Sequence, residues 1–396
     1  MTSYLYPFDR KSVTVTVISD LITDYRVHRT CQTLHENGYR VLLIGIVKKD
    51  SLKLKARDYQ TDRLKMWFKN TAFFYAEFNI RLFFRLLRSK SDIYLGNDLD
   101  VMPATWLVAS LFRKPIVYDS HEYFLGMAGM DRKPIRRSVW KFLETRVFSN
   151  LRYMFTVSES VRNLYRRDYL KKLVVIRNIP MLKAPTPDLT DDEEIWIKSF
   201  ERQIPENKKL LILQGAGINE SRGAEELVFA MLFLDASQFH LLIIGGGDVF
   251  EKLEKIVEQN QLADKITLIP KVPFAVLSHF TRKASLGFCI DKPSVLNHKY
   301  SLSNKFFEYL HAGVPVLVSR LAEQERIINE YDVGGFIEDF HPENIAKKIK
   351  GVFADPERLN RWKKNTCRVR EELNWENESK ILLDIFKQVE KDSVNH

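Results

Sequence analysis

The sequence has few cysteines and no arrangement that would join them. Its 396 residues include three, Cys31, Cys289 and Cys367, which lie far apart without a Cys-x-x-Cys pair. This excludes a disulfide framework and favours reduced thiols in a cytosolic compartment.

Long apolar runs are also absent. No stretch approaches the roughly 18 consecutive apolar residues of a spanning helix, and the first ten residues lack the apolar segment of a signal peptide. We therefore expect neither export through a signal peptide nor insertion across a bilayer. The remaining composition, 45% hydrophobic and 28% charged, is that of a globular protein and excludes a disordered or fibrous chain.

Charge is unevenly distributed along the chain. Residues 1–183 contain 33 Lys and Arg against 17 Asp and Glu, a balance of +16, whereas the whole chain carries only +10. The remainder is therefore acidic, at −6. A basic half beside an acidic half predicts that the basic half meets an anionic surface, either nucleic acid or a phospholipid leaflet.

Short β-branched segments alternate with helical patterns throughout. Val27, Cys31 and Leu34 form one helical face between the first two apolar runs, and Gly38 marks the end of that helix. Repeated β-α-β units of this kind predict parallel sheets. The predicted strands are 13–18, 41–44, 93–95, 116–118, 154–157 and 173–176 in the first half, and 210–213, 241–244, 266–269, 286–290 and 316–318 in the second.

A linker separates the halves. Pro180, Pro185 and Pro187 fall within eight residues, and the acidic run 191–194 then opens a new helical pattern. We predict Rossmann-like domains at 1–183 and 184–372, and a terminal helix at 373–396 that folds back onto the first domain. The fold class is α/β, with two doubly wound parallel-sheet domains facing across a cleft that holds the ligand.

The most informative window is 303–318. Asn304 is a good helix N-cap, so Lys305 lies in the first turn beside free N–H groups, where phosphate binds well. Glu308 follows on the same face and is suited to accept hydrogen bonds from a ribose diol. The alternative interpretation is a solvated ion pair on an ordinary amphipathic helix.

Two glycine-rich turns follow predicted strands in the second half. The first ends in Arg222 and Gly223, and an arginine there offers two donors to a diphosphate. The spacing fits neither a P-loop nor G-x-G-x-x-G, and a single such turn is usually a plain strand-to-helix connection. The glycines assigned to close approach of a nucleotide are Gly215, Gly217, Gly245, Gly246 and Gly247.

These windows together resemble glycosyltransferase family 4, of the GT-B fold. The resemblance rests on the two glycine turns, on Asn-Lys-x-Phe-Glu-Tyr-Leu-x-Ala-Gly-x-Pro-Val within 304–316, and on 92–100 and 115–122 in the first half. It covers nearly the whole chain. It implies a retaining transfer of a sugar from a nucleoside diphosphate donor, of UDP or GDP type, without a further cofactor.

The resemblance also implies roles for individual residues. Arg222 and Lys305 would bind the diphosphate and act in catalysis, Glu308 would bind the ribose, and His121 would contact the transferred sugar. Two departures affect the expected donor: Tyr300 stands where the family has the first Glu of its Glu-x7-Glu motif, and Gly217 stands where the family often has a basic residue.

Asp98 and Asp100 form an Asp-x-Asp pattern like the metal motif of the other large glycosyltransferase fold. We interpret them as acidic caps of the helix that follows, and we predict no metal site. His121 has a plainer interpretation too, as a histidine hydrogen-bonded beside Glu122.

Two stretches mix aromatic and basic residues. One spans 66–90 and ends in Arg81, Arg85 and Arg88, and the other runs from Arg132 to Arg146. Basic amphipathic helices with aromatic faces bind anionic membrane surfaces. The alternative is that the aromatics pack in the core and the basic side chains are merely solvated.

The sequence therefore predicts a metal-independent hexosyltransferase in the cytoplasm, peripheral to the inner face of the cell membrane, with a lipid-linked or surface-glycan acceptor held by the first domain. Two rivals remain. A sugar-nucleotide epimerase of the same architecture would need no acceptor, and a basic nucleic-acid-binding protein would use the +16 half. No RNA- or DNA-binding motif supports the second rival, so we expect no nucleic-acid partner.

Overall fold

The computed structural model describes most of the chain. The described residues are 10–22, 24–48, 51, 53–69, 72–127, 129–130, 133–182, 189–294, 296–300 and 302–394. They form two compact units, the first within Met1–Asn178 and Glu378–His396 and the second within Ile179–Asn377. The sequence placed these boundaries at 183/184 and 372/373. Most of the predicted linker, 183–188, lies outside the described residues.

The first unit is built on a seven-stranded parallel sheet with the order β3-β2-β1-β4-β5-β6-β7. Every predicted strand of this half is present. The strands are β1 (Ser12–Asp20), β2 (Arg40–Val47), β3 (Gln60–Lys65), β4 (Ile93–Asn97), β5 (Ile116–Ser120), β6 (Tyr153–Thr156) and β7 (Val174–Val175). Its first five helices are α1 (Tyr25–Glu36), α2 (Ala72–Leu87), α3 (Met102–Leu111), α4 (Pro134–Asn150) and α5 (Glu159–Tyr169).

The second unit repeats the plan with six parallel strands in the order β10-β9-β8-β11-β12-β13. The strands are β8 (Lys209–Gly215), β9 (Phe239–Gly245), β10 (Ile266–Ile269), β11 (Leu286–Cys289), β12 (Val316–Ser319) and β13 (Gly334–Ile337). The helices that follow in the chain are α6 (Asp191–Glu201), α7 (Ala224–Ala230), α8 (Phe250–Gln259), α9 (Phe274–Lys283), α10 (Leu296–Tyr300), α11 (Asn304–His311), α12 (Ala322–Tyr331), α13 (Pro342–Phe353), α14 (Pro356–Glu372) and α15 (Trp375–Val394).

Two edge strands were missed. β3 has the sequence QTDRLK, which lacks an apolar run because an edge strand can leave both faces partly solvated. β13 is four residues long and begins with two glycines, which are weak strand formers.

Each sheet reverses its strand order once. The reversal lies between β1 and β4 in the first sheet and between β8 and β11 in the second. Helices leave to opposite sides at such a point, which opens a crevice at the carboxyl ends of the strands. Each unit thus provides one favoured place for a ligand.

The terminal helix completes the first unit. Leu382, Phe386 and Val389 are fully buried, and the ring of Phe386 contacts that of Tyr39 edge-on at 5.6 Å between centroids. Within the described residues no helix combines the length and apolar character needed to cross a bilayer.

Replacing Phe386 by alanine is therefore expected to destabilise the first unit by about 3 to 5 kcal/mol, the usual cost of emptying an aromatic site in a core. Chemical unfolding followed by tyrosine fluorescence measures this. The control is Ile381→Ala on the exposed side of the same helix. Equal effects of the two changes would contradict the burial of this helix.

Candidate functional sites at the carboxyl ends of each sheet

Backbone hydrogen bonds join the loop after β8 to the loop after β9. The Ile218 N–H donates to the Gly246 carbonyl at 2.8 Å, and the Gly246 N–H donates to the Gly215 carbonyl at 3.3 Å. Gly245 has φ +147°, and a Cβ there would lie 1.9 Å from the Gly215 oxygen. The protein's own backbone fills the space beside Gly245.

Packing between the two loops requires two of the five predicted close-approach glycines and does not require the other three. A Cβ on Gly247 would lie 2.2 Å from the Ile218 oxygen, so this glycine, like Gly245, is required by packing between the two loops. A Cβ on Gly246 would meet only the flexible side chain of Lys271, at 2.9 Å. Gly215 and Gly217 have no atom nearer than 3.9 and 3.4 Å to an added Cβ, which leaves their backbone accessible to a ligand.

Arg222 and Lys305 meet at one carboxylate, that of Asp291. Arg222 Nη1 lies 3.2 Å and Lys305 Nζ 3.6 Å from Asp291 Oδ1. The side chains of Arg222 and Lys305 are 29% and 11% exposed, and Asp291 is fully buried. Lys305 is thus held at the crevice beside β11, and the interpretation of a solvated surface lysine is wrong.

Glu308 is held by the end of β8. Gln214 Nε2 donates to Glu308 Oε2 at 2.6 Å, and the side-chain oxygen Oε1 of Gln214 accepts from the Thr281 hydroxyl at 2.7 Å. Because an ionised carboxylate can only accept hydrogen bonds, Gln214 presents its NH₂ group to Glu308 and its side-chain oxygen to Thr281. The predicted helix cap is one residue off, since α11 begins at Asn304 and Ser303 occupies the cap position.

Sequence reasoning missed Asp291 and Gln214. Gln214 lies near the end of the apolar strand β8, and Asp291 follows the apolar strand β11. A polar residue at the carboxyl end of a buried parallel strand is the signal that would have identified both. Tyr300, the departure from the family motif, ends α10, and Lys299 Nζ lies 5.6 Å from the centroid of its ring.

His121 follows β5 in the first unit and lies between two carboxylates. Its Nε2 is 3.2 Å from Asp119 Oδ2, and its Nδ1 is 3.3 Å from Asp98 Oδ2. Burial disfavours the charged ring, but the carboxylates of Asp98 and Asp119 outweigh that effect and raise the pKa of His121 to about 9. The ring is a charged donor near neutral pH.

Arg26 supports this arrangement from α1. Its Nε and Nη2 bind the two oxygens of Asp119 at 3.0 and 2.7 Å, and its Nη1 binds the Ile176 carbonyl. Burial tends to raise the pKa of Asp119, yet Arg26 and His121 hold it below its ordinary value. Sequence patterns gave no sign of this role, because Arg26 resembles any solvated helix arginine.

Asp98 occupies the N-cap position of a short 3-10 helix, Leu99–Val101, directly before α3, but its side chain makes no cap hydrogen bond. It accepts the His121 N–H at 2.8 Å instead. Asp98 has φ +62°, a backbone conformation that is costly for a residue with a Cβ and is often found at functional sites. Asp100 is also buried, and its burial together with the negative charge of Asp98 raises the pKa of Asp100. Among the described residues, no group of three His, Cys, Asp or Glu is arranged to hold a metal ion.

One face of the first unit exposes apolar side chains. α2 and α4 both pack against α3, and on their outer sides they expose Phe73, Ile80 and Phe84, and Ile135, Val139 and Phe142. Ile135 is 82% and Phe142 70% exposed. The alternative prediction, that the aromatic side chains of these two stretches pack in the core, is correct for Phe78 and Trp140, which are buried, but not for the exposed side chains named above.

The basic side chains of this face are partly used within the chain. Arg81 pairs with Glu77 at 2.8 Å and stacks on Trp67, and Arg85 pairs with Asp62 at 2.5 Å. Arg88 is exposed, as are Arg137 and Lys141 on α4. Arg132, which the sequence assigned to the same surface, lies outside the described residues.

Comparison with known families identifies the class of protein. Residues 24–179 match a family model described as Glycosyltransferase Family 4, and residues 194–369 match one described as Glycosyl transferases group 1. Two parallel-sheet Rossmann-like units with these matches define a glycosyltransferase of the GT-B fold. The chain belongs to glycosyltransferase family 4, as the resemblance predicted.

Solved structures share the fold at low sequence identity. Sucrose-phosphate synthase from Thermosynechococcus elongatus matches with a TM-score of 0.78 and 16% identity over 97% of this chain and 100% of that one. A glycosyltransferase from Rickettsia africae matches with 0.74 and 14%, with the same coverage. HepE from Anabaena, solved with UDP and glucose, matches with 0.71 and 10% over 96% of this chain and 100% of that one. No curated protein sequence matches the chain.

The raised pKa of His121 has a testable consequence. A group whose pKa is higher in the folded state stabilises the fold fully below its unfolded pKa of 6.5 and loses that contribution as the pH rises through about 9. We expect the ring to titrate near pH 9 by NMR, and the first unit to become less stable toward urea between pH 6.5 and 9.

The isosteric change Asp98→Asn removes one of the two carboxylates, so His121 should then titrate at lower pH, and the loss of stability above pH 6.5 should be smaller and end at a lower pH. Asp248→Asn, in the second unit, is the matched control. A wild-type ring that titrates near 6.5 would contradict the described pairing.

Proposed function

We propose that this glycosyltransferase is a retaining enzyme that transfers a hexosyl group from a UDP- or GDP-type sugar nucleotide to an acceptor held mainly by the first unit. The observation that carries the proposal is the meeting of Arg222 and Lys305 at the carboxyl ends of β8 and β11, with Glu308 one helical turn away. Two cations suit a diphosphate, and a carboxylate fixed by Gln214 suits a ribose diol.

The donor class draws further support from the open backbone at Gly215 and Gly217, which lies beside the same crevice. The structure of HepE with UDP and glucose supports a sugar nucleotide as well. A panel of sugar nucleotides, with release of the nucleotide as the measured quantity, identifies the base and the sugar of the donor. An epimerase would convert the donor without an acceptor, so dependence on an acceptor separates the two activities.

The proposed chemistry uses side chains and needs no metal ion or cofactor. Arg222 and Lys305 stabilise the negative charge that develops on the leaving diphosphate. The diphosphate departs from the face on which the acceptor hydroxyl enters, and one of its oxygens takes the acceptor proton. His121, as a charged donor, binds a hydroxyl of the transferred sugar, and its raised pKa makes it a poor base near neutral pH.

Lys305→Ala and Glu308→Ala are each expected to weaken binding of the nucleoside diphosphate by about 1.5 to 3 kcal/mol, since each removes one charge-assisted contact. Isothermal titration calorimetry with UDP and GDP measures this. Lys347→Ala, an exposed lysine on α13, is the matched control. Wild-type affinity in both site variants would remove the donor-site assignment.

We further propose that the exposed face of α2 and α4 binds an anionic membrane at the cytosolic side, where a lipid-linked or surface-glycan acceptor is presented. Apolar side chains on the outer side of two adjacent helices, flanked by Arg137 and Lys141, fit an interfacial position in a leaflet. Arg81 and Arg85 add little to the attraction between this face and anionic lipid, because each is paired with a carboxylate of the chain.

Changing Ile135, Val139 and Phe142 together to serine is expected to abolish sedimentation with vesicles that contain anionic lipid, while nucleotide affinity stays unchanged. Wild-type binding should also weaken with salt, over a Debye length of about 10 Å at 0.1 M. The matched control changes Ile195, Leu232 and Phe233, exposed apolar residues of the second unit, to serine. No wild-type binding at 0.1 M salt would favour a soluble acceptor.

A further inference from the structure

The proposed chemistry gives no role to Asp291, the most buried charged group of the donor site. Its side chain is fully buried, and neither carboxylate oxygen accepts a hydrogen bond from any group in the described part of the chain. A buried carboxylate is costly unless positive charge lies close to it. Arg222 and Lys305 supply that charge, at 3.2 and 3.6 Å from Oδ1.

The backbone around Asp291 fixes this arrangement. The Lys292 N–H donates to the Ser221 carbonyl at 2.8 Å. Gly223 has φ +76°, and a Cβ there would lie 2.5 Å from the Ile290 oxygen. Ser221 itself has φ +66°, which is strained for a residue other than glycine. The loop that carries Arg222 is therefore locked against the segment 290–292 on both sides of the ion pair.

The contacts of Asp291 with the two cations are ion pairs without hydrogen bonds. Asp291 therefore holds Arg222 and Lys305 close together without using their N–H donors, which remain able to bind phosphate oxygens. Its negative charge also lies only a few ångströms from the place that the phosphates would take, and in a poorly solvated crevice like charges repel strongly.

We propose that Asp291 is a positioning residue that aligns Arg222 and Lys305 for the diphosphate and at the same time limits how tightly the released nucleoside diphosphate is held. This inference rests on the proposed donor site. It explains why an acid stands among phosphate-binding cations: their alignment is kept while product release stays fast.

The test is Asp291→Asn, which keeps the shape and removes the charge. We expect the nucleoside diphosphate to bind about tenfold more tightly in calorimetry, because one like charge has been removed. We expect kcat to fall about tenfold, with donor KM unchanged or lower, because the cations lose their common anchor and the product leaves more slowly. In the double variant Asp291→Asn, Lys305→Met, the gain in affinity should disappear.

Glu226→Gln is the matched control, since Glu226 pairs with Lys292 beside the same loop and touches neither cation of the site. It should leave kcat and product affinity unchanged. If Asp291→Asn does not fold, Asp291→Glu moves the charge without removing it and should lower kcat while product affinity stays within about twofold of wild type.

Two outcomes overturn the inference. One is wild-type kcat in the folded Asp291→Asn or Asp291→Glu protein, and the other is weaker binding of the nucleoside diphosphate to Asp291→Asn. Neither result argues against binding of the nucleotide at the donor site. That site fails if the wild-type protein binds no nucleoside diphosphate, or if Lys305→Ala and Glu308→Ala both bind it with wild-type affinity, so the two failures are distinguishable.

Discussion

The complete burial of the Asp291 carboxylate is the constraint on which the site in the second unit depends. A charge in that position must have positive partners, so Arg222, from the loop after β8, and Lys305, from the first turn of α11, are brought to one point. The strained Ser221 backbone and the close contact of Gly223 with Ile290 follow from that demand. The same pairing places two cations at the crevice where an α/β sheet binds its ligand.

The first unit also holds a charged side chain between two groups of opposite charge, but there the central group is the positive one. There a histidine lies between Asp98 and Asp119, and Arg26 neutralises the more deeply buried of these carboxylates. Burial alone would leave His121 uncharged, whereas the two acids keep it protonated near neutral pH. Both units thus place paired charges after their central strands, where local strain at Asp98 and Ser221 accompanies them.

Periodicity predicted most of the fold because buried parallel strands read as apolar runs, and all eleven strands predicted in this way are present. It missed β3 and β13 because edge strands need neither an apolar run nor branched residues. Lys305 and Glu308 were predictable because they share a helix face within a recognisable motif. Arg26, Gln214 and Asp291 were not assigned, because their partners Asp119, Glu308 and Arg222 lie 69 to 94 residues away in the sequence. Only the folded chain brings these groups together.

Amide hydrogen exchange with and without UDP or GDP decides whether a nucleoside diphosphate binds at the carboxyl ends of β8 and β11. We expect the nucleotide to slow exchange in the segments 215–223 and 302–308, where backbone N–H groups and the first turn of α11 meet the ligand. Unchanged exchange in both segments under saturating nucleotide, or protection confined to the first unit, would contradict it.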